Sequence, residues 1–179
     1  VPAYLQPQGQ APWPGLQKVS GQLVLDSVAL RIDGLVASMD GAPGVRLSEG
    51  AVRIDNVTDD VPRLQVKARA QGPADQVLGV LKASPLNDMT GQALAQARMS
   101  GPVDIGFGLI LPLGDEDDQP EGQSGAQVRG TVVFPGNEVQ ITPASPALAG
   151  ATGTLRFTQS GFDITDAAAQ LYGGPVRFE

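Results

Sequence analysis

The chain has 179 residues, enough for one ordinary domain or for one segment of a longer repetitive protein. Its 12 basic and 19 acidic residues give a net charge of −7, so there is no basic surplus to displace the counterions of a nucleic acid or to hold an anionic bilayer. It contains no His and no Cys, which excludes disulfides and argues against zinc, haem or a Ser-His-Asp site. These absences favour a non-enzymatic function.

We expect the chain to be a mature or excised piece of a protein. The chain does not begin with Met, it shows no signal-peptide pattern, and no apolar run approaches the length of a transmembrane helix. We expect residues 1–15 to be a leading segment, with Trp13 as its anchor. Residues 16–179 should form a single β-repeat segment with a helical insertion at about 73–97.

A fourfold repeat organises this segment. Apolar residues fall at the same four offsets from Gly21, Pro43, Gly130 and Gly153, which is typical of a stacked or meandering architecture. The sixteen positions are Leu23, Leu25, Leu30, Ile32, Val45, Leu47, Val52, Ile54, Val132, Phe134, Val139, Ile141, Leu155, Phe157, Phe162 and Ile164.

The spacing within each copy predicts paired strands. Apolar residues two apart lie on one face of a strand. Four residues separate the two apolar pairs of a copy, and we expect tight hairpin turns at 48–51, 135–138 and 158–161. This register would pair Leu25 with Leu30, Leu47 with Val52, Phe134 with Val139, Val132 with Ile141, and Phe157 with Phe162. In the first copy Ser27-Val28 is a poor turn, so a continuous bent strand is the alternative there.

Polar residues fill the intervening positions, which predicts an antiparallel sheet with one wetted face. Residues 64–70 and 103–111 alternate in the same way. We therefore predict a mainly β fold, an elongated and curved antiparallel sheet that forms a groove, with two short helices.

Helical spacing of apolar residues places the helices at 73–83 and about 87–97. Either they plug the apolar face of the sheet, or they only connect strands and close the core.

Candidate chemical sites are weak. The acidic run 115–118 lacks the ligand spacing of a hand-type calcium loop and is typical of a solvated hairpin loop. Paired carboxylates for a hydrolase are available, but aromatic residues are only 4% of the chain, too few for a sugar platform. We expect no catalytic residue, no metal site, no cofactor and no nucleic-acid partner.

The apolar stripe is the remaining candidate. It forms either a closed core or an open groove, and its aliphatic lining suits acyl chains better than rings or polar metabolites.

The order of several short segments carries a family resemblance. These are Trp13-Pro14, Gln22 to Asp26, Ser84-Pro85-Leu86, Leu109 to Leu113, Gly130 to Phe134, Gly153 to Phe157 and Leu171 to Gly174. In them the chain resembles the AsmA-like family of Gram-negative envelope proteins, in its YhdP-type repeated periplasmic region.

The resemblance implies a periplasmic segment of a long protein anchored in the inner membrane. Its sixteen apolar positions would line a hydrophobic groove that conducts phospholipids between the inner and outer membranes. The partners would be phospholipid acyl chains and neighbouring repeats of the same long chain. The alternative is a structural or protein-binding β module in outer-membrane biogenesis that conducts no lipid.

Overall fold

The computed structural model describes residues 14–84, 87, 95–113 and 125–178. Within these ranges ten strands form one antiparallel sheet, and one α-helix packs against it. The strands are β1 (Leu16–Asp26), β2 (Ala29–Met39), β3 (Ala42–Ile54), β4 (Arg63–Pro73), β5 (Arg98–Ser100), β6 (Pro102–Pro112), β7 (Gln127–Gln140), β8 (Leu148–Thr158), β9 (Gly161–Leu171) and β10 (Gly174–Phe178), and the helix is α1 (Ala74–Lys82).

The sheet is a meander in which nearly every strand pairs with its neighbour in the chain. Its order is β1-β2-β3-β4-β6-β7-β8-β9-β10, and the short β5 pairs with β7 off this path. The strands β1 and β10 are therefore the two edges. The prediction of a mainly antiparallel β fold is confirmed.

Cross-strand register keeps the apolar residues on one side, which we call the apolar face. Residues directly opposite each other in an antiparallel pair point to the same face. One continuous row runs Leu25, Leu30, Ile54, Leu64, Leu111, and the next runs Leu23, Ile32, Val52, Val66, Leu109, Val128. Further along, one row runs Ala68, Phe107, Gly130, Phe157, Phe162, and another runs Leu47, Ala70, Ile105, Val132, Leu155, Ile164. The predicted placement of Leu23 and Ile32 on one face is confirmed.

The first and fourth copies form the predicted hairpins. Leu25 pairs with Leu30 across a turn at Ser27-Val28, and Phe157 pairs with Phe162 across a turn at 159–160. The continuous bent strand considered for the first copy does not occur.

The prediction of hairpin turns at 48–51 and 135–138 is wrong. In the second copy, β3 runs unbroken through Glu49, and Leu47 pairs with Ala37 and Ala70 rather than with Val52. A register shift between Ser48 and Ala51, with Glu49 at a φ of 53°, absorbs the residues that we expected to turn.

The third copy is also one strand, β7. Phe134 pairs with Gly153, Val132 with Ile105 and Leu155, and Val139 with Met99 and Leu148, while Ile141 lies just beyond the strand. Gly136, at a φ of 134°, lies where the register shifts instead of in a turn. Strands on both sides of β3 and β7 provide backbone partners for an extended chain, and those two ladders outweigh a local turn preference.

The helix predicted at 73–83 is confirmed as α1, whereas the one predicted at about 87–97 lies largely outside the described residues. Ala74, Val77 and Leu78 are buried on the inner side of α1. The core cluster beneath it includes Val45, Leu47, Ala70, Val103 and Ile105.

Polar contacts fix α1 over one end of the apolar face, which we call the closed end. The Gly44 N–H donates to Gln76 Oε1 at 2.8 Å, and the Ala74 N–H donates to the Gly101 carbonyl at 2.8 Å. Lys82 Nζ donates to the Ala97 carbonyl at 2.8 Å. The opposite end, marked by the row from Leu25 to Leu111, is the open end. In the described part of the chain no helix is long and apolar enough to cross a membrane.

Candidate functional site

The sixteen apolar positions of the repeat differ widely in exposure. Val45 and Leu47 are buried in the core beneath α1, and Val132, Phe134 and Phe157 pack partly buried against that core. The half-buried group comprises Leu30, Ile32, Val52, Ile54, Val139 and Leu155, and the exposed group comprises Leu23, Leu25, Ile141, Phe162 and Ile164. The register places the apolar residues of the first and fourth copies on one continuous surface. The helix α1 covers Val45 and Leu47 of the second copy, so these two residues are not accessible there.

Exposure on the apolar face falls from the edge towards the middle of the sheet. In one row Leu23 on the edge strand β1 is 64% exposed, whereas Leu109 and Val128 on β6 and β7 are 9% and 5% exposed. Beyond the middle, Phe162 on β9 is again 69% exposed. This gradient follows from the strand order, because a side chain on an edge strand has a neighbouring strand on one side only, whereas central side chains are shielded from both sides.

Several residues of this surface were missing from the sequence-based set, among them four near its open end. Leu64, Val66, Leu109 and Leu111 continue the rows across β4 and β6. Their strict alternation already placed them on one face of a strand. They lie outside the fourfold repeat, which is why the repeat alone did not select them.

The surface suits contact with hydrocarbon. Its rows consist of Leu, Ile and Val with a few Phe, and among the described residues no group of His, Cys, Asp and Glu is placed to hold a metal ion. Each methylene removed from water contributes about 0.8 kcal/mol. An acyl chain of ordinary length therefore gains on the order of 10 kcal/mol from an apolar surface that covers it.

The opposite side of the sheet, the polar face, carries charged residues. Arg69 on β4 forms a bidentate pair with Asp104 on β6, with Nε–Oδ1 and Nη2–Oδ2 distances of 2.7 and 2.5 Å. Gln71 Nε2 donates to the same carboxylate at 2.8 Å. The hydrogen bonds from Arg69 hold the pKa of Asp104 below its ordinary value, although partial burial opposes this. The pair ties the central strands together without entering the apolar face.

A model of one protein family, described as YhdP protein, matches residues 6–179. The chain belongs to the YhdP family. This confirms the resemblance drawn from the order of the short segments. Comparison with curated proteins and with solved structures gives no match.

YhdP-family membership fits the observed architecture. The family is associated with envelope proteins, and its model covers every described strand of the sheet. The apolar face is therefore a feature of the family segment itself and not of an appended domain.

Proposed function

We propose that this YhdP-family chain is a periplasmic segment of a lipid-transfer protein, and that its apolar face conducts phospholipids between the inner and outer membranes. The observation that carries the proposal is the continuous set of apolar rows, whose side chains stay half-buried or exposed at the open end. Leu25 is 67% exposed and Phe162 is 69% exposed, and the residues in line with them are half-buried. A contiguous exposed apolar surface on a soluble domain marks an interaction site.

Energetics supports passage rather than tight capture. A bilayer interior and an aliphatic protein surface solvate an acyl chain similarly, so transfer between them is close to neutral. Because the side chains along a row are similar, the free energy of a bound acyl chain has no single deep minimum along the row. The lipid can therefore move along the sheet with its acyl chains covered. No cofactor is needed in this segment, and we propose that it is not an enzyme.

Neighbouring repeats of the same long chain are the second proposed partner. The edge strand β1 is 11 residues long, and all but one of its residues are exposed. An exposed edge of this length is an aggregation hazard unless another strand pairs with it. Pairing there and at β10 would extend the apolar face into a longer groove, whose lining would continue through Leu23 and Leu25.

The experiment compares two adjacent residues that face opposite sides of β4. Leu64→Asp places a carboxylate on the open end of the apolar face, whereas Gln65→Asp places the same charge on the polar face. A carboxylate in an acyl path carries a desolvation penalty of about 2–4 kcal/mol. Both variants should fold by circular dichroism, and phospholipid retained through purification, quantified by mass spectrometry, should fall only in Leu64→Asp.

The structural module without lipid conduction predicts a different result. If the apolar face were closed in the native protein, Leu64→Asp would leave a buried unpaired charge and unfold the chain. The wild type would then also carry no phospholipid. That pair of results would contradict the proposed function.

A further inference from the structure

The polar face carries most of the chain's basic residues, although the net charge is −7. Register and alternation place the following on it: Arg31, Arg46, Arg53, Arg63, Lys67, Arg69, Arg129, Arg156 and Arg177. The acidic residues on the same strands include Asp33, Glu49, Asp104 and Asp163. On the strands that the structure describes, the polar face therefore carries more basic than acidic residues.

Two glycines create a recess in this surface. Gly106 and Gly108 occupy consecutive polar-face positions of β6, so the centre of the sheet has no side chain there. A Cβ added at Gly106 would meet no atom within 4 Å. The resulting concavity is shallow and open to solvent, with a volume of about 600 Å³. We call it the basic trough.

Cations lie on both sides of the basic trough. Lys67 on β4 and Arg129 on β7 are both directly opposite Gly108, and Arg69 is opposite Gly106, with Arg156 two strands further along the same row. The side chain of Arg129 lies over Gly108, since its Nε would be 3.7 Å from a Cβ added at that glycine. The hydroxyl-bearing Thr131 and Thr158 also line the recess, and Glu49 lies at its rim.

Two of the cations lack an ion-pair partner in the part of the chain that the structure describes. Arg69 pairs with Asp104 and, at 3.4 Å, with Glu49, and Arg156 lies 3.9 Å from Asp163. Among the described residues, Lys67 and Arg129 have no ion-pair partner. Their strands flank β6, so their Cα atoms are about 10 Å apart, two strand spacings. Both long side chains can therefore reach one anion held above Gly106 and Gly108.

We propose that the basic trough binds a soluble small molecule through a phosphate group. A phosphate monoester carries about −1.5 to −2 charges at neutral pH, which matches two unpaired cations, and its oxygens accept bidentate bonds from Arg and bonds from Thr hydroxyls. The trough and the apolar face lie on opposite sides of the sheet. A lipid whose acyl chains occupy the apolar face therefore does not place its head group in the trough, and this site is independent of lipid conduction.

The test follows the backbone amide signals of Gly106 and Gly108 by NMR while inorganic phosphate or pyrophosphate is added at constant ionic strength. Saturable shifts are expected at both glycines. Lys67→Gln with Arg129→Gln should weaken binding about tenfold or more, since two charge-assisted contacts are lost. The control, Arg46→Gln with Arg53→Gln, removes the same charge from the polar face outside the trough and should leave binding within about twofold.

A second variant distinguishes phosphate binding that requires the recess from phosphate binding that requires only the basic charges around it. Gly106→Val fills the floor without changing any charge, and the open space above Gly106 accommodates the side chain. A β-branched residue also favours a strand more than glycine does, so this variant should fold. It should abolish the phosphate shifts while phospholipid retention on the apolar face is unchanged.

Other results would overturn the inference. Shifts that do not saturate, or that weaken equally in the control double variant, would mean diffuse electrostatic attraction. Binding only to phosphatidylglycerol vesicles, with none to phosphate or pyrophosphate, would identify a membrane-docking surface instead. Binding only to a Glu-rich peptide would identify a protein partner.

Discussion

The ring of Phe157 on β8 lies directly above Gly130 on β7, in the space that a side chain at Gly130 would occupy. A Cβ at position 130 would come within 2.6 Å of Phe157 Cε1 and 2.8 Å of the Gly106 carbonyl oxygen. The two residues are direct cross-strand partners on the apolar face. The aromatic ring thus covers the gap that a glycine leaves in a strand.

This packing predicts that Gly130→Ala destabilises the chain by about 1–3 kcal/mol, the usual cost of overpacking. The ring of Phe157 can give way only by leaving its position on the core. Phe157→Leu should relieve the clash with the ring, while the close contact with the Gly106 carbonyl oxygen stays. The double variant should therefore recover part of the loss and be more stable than the sum of the single effects predicts. Urea unfolding of all four proteins measures the coupling. Additive effects would show that the ring and the glycine do not compete for the same space.

Asn137 predicts a second stability effect. Its side chain is 0% exposed, and Nδ2 donates to the carbonyls of Ser100 and Pro102 at 2.8 and 2.9 Å, which fixes the turn between β5 and β6. Asn137→Ala should cost about 1–3 kcal/mol, because the carbonyls of Ser100 and Pro102 lose their donor and a fully buried side chain is removed. Asn137→Asp should cost more, since it places a carboxylate beside the same two oxygens. An unfolding free energy of the Asp variant close to that of the wild type would contradict this arrangement.

The turn at Ser27 predicts a stabilising substitution. Ser27 has a φ of 54°, a left-handed conformation that glycine adopts without strain. Ser27→Gly should raise the free energy of unfolding by about 0.5–1 kcal/mol. Gln159 occupies the equivalent position of the β8–β9 turn without a positive φ, so Gln159→Gly is the matched control and should lower stability. Thermal unfolding measures both variants. A higher stability of both would contradict the prediction that the positive φ of Ser27 causes the effect.

The Arg69–Asp104 pair predicts a pH dependence. Because the folded-state pKa of Asp104 lies below its ordinary value of 3.8, its ionised form stabilises the fold at pH values above that ordinary value. That contribution is lost as the pH falls through the lowered pKa. The difference in unfolding free energy between wild type and Asp104→Asn should therefore be constant from pH 7 to about 5 and shrink below about 4. A difference that persists unchanged at pH 3 would show that Asp104 is not perturbed by Arg69.

The alternation of apolar and polar residues correctly predicted the faces of the strands, and the helical spacing of apolar residues correctly predicted α1. Alternation is reliable because a strand with one buried face must turn its apolar residues to that face, and a shift by one residue would expose all of them. Turn preference was the weaker guide. Ser27-Val28, a poor turn by composition, forms a hairpin because Leu25 and Leu30 pair across it, while Gly136 and Asn137 lie in a continuous strand.

Two features could not be predicted from the sequence. Net charge averages over the whole surface, so it concealed the cations that the register gathers around Gly106 and Gly108. The bridge from Asn137 to the turn at Gly101 depends on a contact 35 to 37 residues away in the chain. Neither local propensity nor the repeat contains that information.

Site-specific photocrosslinking to lipid tests directly whether the apolar face conducts phospholipid. A benzophenone amino acid at Leu25, Leu64 or Phe162 samples the apolar face, and the same probe at Arg53 or Gln65 samples the polar face of neighbouring strands. If lipid moves along the apolar face, phospholipid adducts, identified by mass spectrometry, should form from the first three positions and not from the last two. Equal adducts from both faces, or none from any position in cells, would contradict it.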